Sequence, residues 1–162
     1  DLLLKACASL PETIQPRLTI VGDGPELNAL QNLAILVYPQ TVFAGDQRGE
    51  FLSNLFRKAD IFVLPGTGGL ALQQAMGFAL PAIAAEGDGT QADLVRPENG
   101  WLIEPGSLEC LRDALNTALS DPDELRKKGL ESFRIVKEEI NLECMADSFE
   151  SAIKLVTGGA HS

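Results

Sequence analysis

Short apolar runs alternate with amphipathic stretches along this chain, and residues typical of turns lie at the junctions. The apolar runs have the length of strands, and the stretches between them place apolar residues at helical spacing. This alternation is typical of βα units and of a mainly parallel sheet. We therefore expect a doubly wound α/β fold with helices on both faces of about five strands, at 17–21, 41–45, 60–64, 82–85 and 100–103.

The remaining sequence after residue 105 predicts helices. Ser107 is placed to cap one helix, and Asp121 followed by Pro122 is placed to start another. A last amphipathic helix is indicated by Met145, Phe149, Ile153 and Val156. No repeat, low-complexity segment or linker interrupts the pattern, so we expect residues 1–162 to form a single domain.

Composition excludes several function classes. The net charge of -10 and the aromatic content of 6% argue against a nucleic-acid binder and against attraction to anionic membranes. The single histidine, His161, makes a His-based catalytic dyad or a His-rich metal site an unfavourable interpretation. Cys7, Cys110 and Cys144 lie far apart in the sequence, each within a helical pattern, so we expect reduced thiols rather than disulfides. Neither a membrane span nor a signal peptide is evident. These features predict a cytoplasmic protein.

A glycine-rich loop follows the strand at 60–64. It holds Gly66, Thr67, Gly68 and Gly69, and a helix is expected to open at Gly69 and Leu70. Small residues let a backbone approach an anion, and free N–H groups at a helix start point toward it. A tight βα turn without any ligand uses the same residues. The surrounding sequence favours a phosphate-bearing ligand.

Other polar residues near strand ends have simpler interpretations. Asp23 and Asp88 each lie in a Gly-Asp-Gly sequence, where aspartate favours the turn itself. Thr90 is placed to cap a short helix that also contains Gln91, although contact with a ligand stays open. Trp101 is expected to pack rather than to stack on a ligand.

Six motifs follow one another in a fixed order along the chain. They are Val21-Gly22-Asp23-Gly24-Pro25, Val42-Phe43-Ala44-Gly45, the segment 59–65, Gly69-Leu70 with Gln74-Ala75-Met76, Asn99-Gly100, and Asp121-Pro122 with Leu125-Arg126. Together they resemble the C-terminal half of retaining nucleotide-sugar glycosyltransferases of the group 1 type, and the resemblance covers nearly the whole chain.

The resemblance implies a GT-B architecture, in which two Rossmann-like domains face each other across the active-site cleft. This chain would be the domain that binds the nucleotide-sugar donor. Amides of Gly68, Gly69, Leu70 and Ala71 would meet the diphosphate, with Gly66 in the same loop. Gly22, Gly45 and Asp46 are implied at the rim of the base and ribose. The resemblance implies no metal and no cofactor, since the nucleotide-sugar is a substrate.

The chain departs from the family pattern at its acidic motif, E-x7-E. The second glutamate maps onto Gln74, whose amide can still bond ribose hydroxyls but carries no charge. The first glutamate has no counterpart, which leaves Thr67 as the side chain able to bond the donor sugar. The family's first strand and its diphosphate-binding Arg and Lys would precede Asp1. The strands at 17–21 and 60–64 would then either meet directly or leave a gap.

The leading functional interpretation is the donor-binding half of a glycosyltransferase that moves a sugar to a glycan or lipid-linked acceptor with retention. Its partner would be the N-terminal domain of the same full-length protein, and the chain alone is expected to be inactive. A sugar-nucleotide epimerase of the same architecture is an alternative. A non-catalytic Rossmann-like module for interaction is another, motivated by the missing glutamates.

Overall fold

The computed structural model describes residues 1–66, 68–87 and 89–140. The predicted last helix through Met145 lies outside this part of the chain, as do Cys144 and His161. The helices are α1 (Leu2–Ala8), α2 (Leu27–Val37), α3 (Gly49–Phe56), α4 (Leu70–Gly77), α5 (Thr90–Leu94), α6 (Leu108–Ser120) and α7 (Pro122–Glu138), with a 3-10 turn at Glu12–Ile14. The strands are β1 (Thr19–Val21), β2 (Val42–Gly45), β3 (Phe62–Leu64), β4 (Ala82–Ala85) and β5 (Gly100–Ile103).

Strand β4 shows how the layers are built. All four of its residues are buried. Ile83 and Ala85 face a cluster formed with α1, α2 and α6, whereas Ala82 and Ala84 face a second cluster formed with α4, α5 and α7. A strand with a helical layer on both sides presents alternate residues to each. The structure thus confirms the predicted α/β architecture with helices on both faces.

Hydrogen bonding divides the five strands into two parallel sheets. Strand β1 pairs with β2, and β4 lies between β3 and β5. Strands β1 and β3, both fully described, do not pair with each other. Of the two arrangements that the sequence left open, direct pairing or a gap, the structure has the gap. Ile20 of β1 and Val63 of β3 nevertheless pack against the same apolar cluster.

The predicted caps of the last two described helices are confirmed. The Ser107 hydroxyl accepts a hydrogen bond from the Cys110 amide at 3.2 Å. Asp121 Oδ1 accepts from the amides of Asp123 and Glu124 at 3.1 and 3.0 Å. These three bonds satisfy amides that have no partner within a helix.

Candidate functional site

Two of the predicted rim residues, Gly22 and Gly45, are bonded to each other. The amide of Gly22, which directly follows β1, donates at 2.8 Å to the carbonyl of Gly45, the last residue of β2. The pairing register shifts between Ile20 and Val21, which places Val21 opposite Gly45. Both glycines have a positive φ, +130° at Gly22 and +68° at Gly45. This conformation explains why glycine stands at both positions.

Asp46 is exposed and already has a cationic partner. Its Oδ2 accepts from Nε of Arg48 at 3.1 Å and lies 3.0 Å from the second guanidinium nitrogen. Arg48 is the N-cap residue of α3 and is 86% exposed. Arg48 was not among the site residues predicted from the sequence, although a cation two residues after Asp46 was the available signal. A guanidinium at this place can pair with a phosphate as well as with a carboxylate.

The start of α4 presents free backbone donors, as predicted. Gly68 has φ +146°, and Gly69 is the N-cap residue. The first helical hydrogen bond runs from the Gln73 amide to the Gly69 carbonyl at 2.9 Å. The amides of Gly69, Leu70 and Ala71 therefore have no partner within the helix. The positive end of the helix dipole adds to their preference for an anion.

Helix α4 is held firmly beneath these amides. Leu72, Ala75 and Met76 are each 0% exposed, whereas Leu70 is 73% exposed. The buried residues recur at i, i+3 and i+4, so one face of the helix packs inward and fixes its direction. The amides of Leu70 and Ala71, which lie within the helix, are thus preorganised.

Gly69 also lies against the beginning of α5. A Cβ added at Gly69 would come within 2.9 Å of Cγ2 of Thr90. Real Cβ atoms essentially never come this close to another heavy atom. The close approach of Gly69 to Thr90 joins the segment after β3 to the segment after β4. These two strands are parallel neighbours, so both segments lie at the same edge of the sheet.

The structure corrects the prediction for Thr90. The N-cap residue of α5 is Gly89, with φ +96°, and Thr90 is the first helical residue. Gly89 takes this place because the chain enters α5 through a left-handed conformation that threonine disfavours.

The turn interpretation of Asp23 is confirmed, because its Oδ1 accepts from the Gly24 amide at 2.7 Å. Asp88 lies outside the described residues.

The remaining predicted contacts are placed as follows. Gly66 and Gln74 are exposed, and Gln74 lies one helical turn after Leu70. Thr67 lies outside the described residues. The structure thus brings Gly22, Gly45 and Asp46 together in one group, which we call the glycine pair group. Gly68 to Ala71 form a second, which we call the α4 amide group.

In the part of the chain that is described, no cluster of three or more His, Cys, Asp or Glu could hold a metal ion.

A cavity of about 320 Å³ lies elsewhere, between β5, α6 and α7. Trp101 forms one wall, with the Lys128 ammonium 5.1 Å from the centre of its ring. The ring is therefore engaged in a cation–π contact. Trp101 also packs against the apolar cluster that contains Ile83, as expected.

The unbonded amides of the α4 amide group are donors of the kind that bind a phosphate. The family model of the glycosyl transferases group 1 matches residues 1–132. The chain belongs to this family.

Two curated relatives are similar over about three quarters of this glycosyltransferase chain. Sulfoquinovosyl transferase SQD2 of Arabidopsis thaliana is 34% identical over 129 residues, covering 75% of the chain and 24% of the relative. The GDP-mannose-dependent alpha-mannosyltransferase of Mycolicibacterium smegmatis is 36% identical over 124 residues, covering 74% of the chain and 31% of the relative. The matched part of the chain thus spans about a quarter of the first protein and somewhat less than a third of the second.

Solved glycosyltransferase structures of the GT-B type contain a domain with the fold of this chain. Sucrose-phosphate synthase from Thermosynechococcus elongatus superposes with a TM-score of 0.80 at 24% identity, over 98% of this chain and 42% of that one. Anabaena HepE in complex with UDP superposes with a TM-score of 0.79 at 21% identity, over 94% of this chain and 44% of that one. Among the described residues, no helix is both long and apolar enough to span a membrane.

Proposed function

We propose that this chain is the donor-binding half of a glycosyltransferase. The full-length protein moves a sugar from a nucleotide-diphosphate-sugar to a glycan or lipid-linked acceptor, with retention of the anomeric configuration. The observation that carries the proposal is the α4 amide group, in which three amides without helical partners follow a glycine at φ +146°. Membership of the group 1 family supports it.

The two groups divide the work of holding the donor. The α4 amide group binds the diphosphate, and Gly66 allows it to approach the backbone closely. The glycine pair group contacts the base and ribose, with Asp46 or Arg48 at the rim. Gln74 bonds a ribose hydroxyl, and Thr67 bonds the donor sugar. Relatives support this choice of ligand, since one is named for its dependence on GDP-mannose and HepE was solved with UDP.

In this proposal the domain contributes electrostatics rather than acid–base chemistry. As the bond to the sugar breaks, negative charge develops on the departing diphosphate. The amides of Leu70 and Ala71, fixed within α4, stabilise this charge without having to reorient. A helix N-terminus contributes about 0.3–1 kcal/mol per favourable charge at an exposed site, so binding by this chain alone is weak. No metal or cofactor takes part.

The acceptor and any catalytic base come from the N-terminal Rossmann-like domain of the same cytoplasmic protein. The isolated chain therefore turns over no substrate. Robust transfer by residues 1–162 alone would contradict this part of the proposal.

A titration with UDP, GDP, ADP and UDP-sugars, followed by amide NMR shifts, tests the donor site. We expect saturable shifts at residues 66–74 that identify the preferred base. Gly69→Pro removes one of the amides and should abolish these shifts. Gly77→Ala, at the far end of α4 where a Cβ meets nothing within 4 Å, is the matched control and should bind normally. Absence of any shift in the wild-type chain would favour the non-catalytic module.

A further inference from the structure

Gln91 is buried in the protein without a hydrogen-bond partner. Its side chain is 0% exposed, and neither Oε1 nor Nε2 is bonded. The other fully buried polar side chains among the described residues are satisfied. Asn99 Nδ2 donates to the Leu94 carbonyl at 3.0 Å and to the Ser132 hydroxyl at 3.3 Å. An unsatisfied buried polar group costs about 1–3 kcal/mol, which an apolar residue of the same size would avoid.

The position of Gln91 connects it to the α4 amide group. It lies in the first turn of α5, one residue after Thr90, whose Cγ2 limits the space at Gly69. Leu94 and Val95 follow at i+3 and i+4 and pack in the same apolar cluster as Leu72 of α4. Gln91 therefore occupies the end of a buried helix face that is nearest to the carboxyl edge of β3 and β4.

We propose that Gln91 is a positioning residue of the donor site. Its carboxamide pairs with the backbone of Gly68 and Gly69 when this backbone takes the arrangement that binds a nucleotide diphosphate. This inference rests on the proposed function.

The chemistry of the two partners fits this role. A carboxamide has two N–H donors and an oxygen that accepts two bonds, so it can pair with both the N–H and the C=O groups of a peptide segment. The backbone at Gly68 has no side chain to restrict it, and a Cβ there would come no nearer than 3.9 Å to Leu64. Because Gln91 is completely buried, it acts on the ligand through this backbone and not by direct contact.

The pairing also couples ligand binding to a gain in hydrogen bonds. In the unliganded chain, the buried amide lowers stability. In the liganded chain, the same amide is satisfied, so part of its cost is removed on binding. Replacing it with an apolar residue should therefore strengthen the free protein while weakening its affinity for the ligand.

The test compares the wild-type chain with Gln91→Met, which has nearly the same shape and no amide. Leu94→Met is the matched control, because it changes a buried residue on the same helix face and removes no polar group. Affinity for UDP and for GDP is measured by NMR titration, and stability by urea unfolding. We expect Gln91→Met to unfold at higher urea and to bind the preferred nucleotide about tenfold more weakly, which corresponds to about 1.4 kcal/mol. Leu94→Met should bind within twofold of wild type.

The side-chain NH₂ signals of Gln91, assigned by their loss in Gln91→Met, provide a second measurement on the unaltered chain. They should shift as the nucleotide saturates the protein. Wild-type affinity in Gln91→Met, or NH₂ signals that do not move in a chain that binds nucleotide, would overturn this inference and leave the donor site standing. A wild-type chain that binds none of UDP, GDP and ADP would overturn both.

Discussion

The Gly22 amide donates to the Gly45 carbonyl at 2.8 Å, and both residues have a positive φ. This bond continues the pairing of β1 and β2 past the register shift and fixes the two turns relative to each other. The turns that we propose to contact the base and ribose are thus one structural unit. A residue with a Cβ at either position must adopt a conformation that side chains disfavour.

Replacement of Gly45 by alanine tests this unit. At φ +68° alanine is strained by about 1–2 kcal/mol, and Gly22→Ala at φ +130° should cost more. Both changes should lower the midpoint of urea unfolding and weaken nucleotide binding. Gly24→Ala is the control, because its φ is not positive and a Cβ there meets nothing within 4 Å. Equal effects of all three substitutions would show that the positive φ values are not responsible.

Gly69 and Thr90 provide a double-mutant cycle across the α4 amide group. Gly69→Ala places a Cβ 2.9 Å from Cγ2 of Thr90, so either the Thr90 side chain must rotate or the start of α4 or of α5 must shift. We expect weaker nucleotide binding and a loss of about 1 kcal/mol in stability. Thr90→Ser keeps the hydroxyl and removes Cγ2, and should restore both properties in the double mutant. Coupling of about 0.5–3 kcal/mol, measured by unfolding, would confirm the contact, and simple additivity would contradict it.

The parts of the fold that are encoded locally could be predicted from the sequence. The all-buried run at 82–85 forms β4, and the caps at Ser107 and Asp121 were recognisable because each is a local hydrogen bond. Thr90 shows the limit of such reasoning. It has the chemistry of a cap, but the left-handed conformation of Gly89 places the start of α5 one residue earlier.

Features that depend on packing between distant segments could not be predicted. Nothing in the sequence around Gln91 indicates that a glutamine near the start of a short helix is completely buried. The division of the strands into two sheets is also a matter of pairing rather than of local pattern. In the candidate site, the glycine positions followed from the motifs, whereas the Arg48–Asp46 pair and the Gly69–Thr90 contact required the structure.

Two helical glycines should respond to alanine in opposite directions. A Cβ at Gly129 of α7 would clash with the carbonyl of Ala79 and lie 3.2 Å from Cδ of Pro81, so this glycine allows α7 to approach the backbone closely. Gly129→Ala should destabilise the protein by about 1–3 kcal/mol. Gly77 of α4 has free space, and Gly77→Ala should stabilise by about 0.4–1 kcal/mol because it reduces the entropy of the unfolded chain.

Urea unfolding of the two variants measures both effects. The unfolded-state effect of replacing glycine is the same at both sites. The difference between the two variants therefore reports the contact with Ala79. A Gly129→Ala variant as stable as Gly77→Ala would contradict the close packing of α7.

Cys7 should react with alkylating reagents only at high pH. Burial raises the pKa of its thiol to about 11, from an ordinary value of 9.0. Since the thiolate is the reactive form, iodoacetamide at pH 8 should modify the half-buried Cys110 well before Cys7. Mass spectrometry of a Cys144→Ser chain would measure both rates, and in urea the two thiols should react alike.

The same shift predicts how stability depends on pH. The folded-state pKa of Cys7 is raised, so the folded protein holds this proton more tightly than the unfolded chain does. The contribution is fully present below pH 9 and is lost as the pH rises through about 11. Cys7→Ala should remove this loss while lowering stability at pH 7, because it takes a buried sulfur out of the cluster that includes Leu4 and Leu111. If the alanine variant and its parent lose stability in parallel above pH 9, then Cys7 is not the group that titrates.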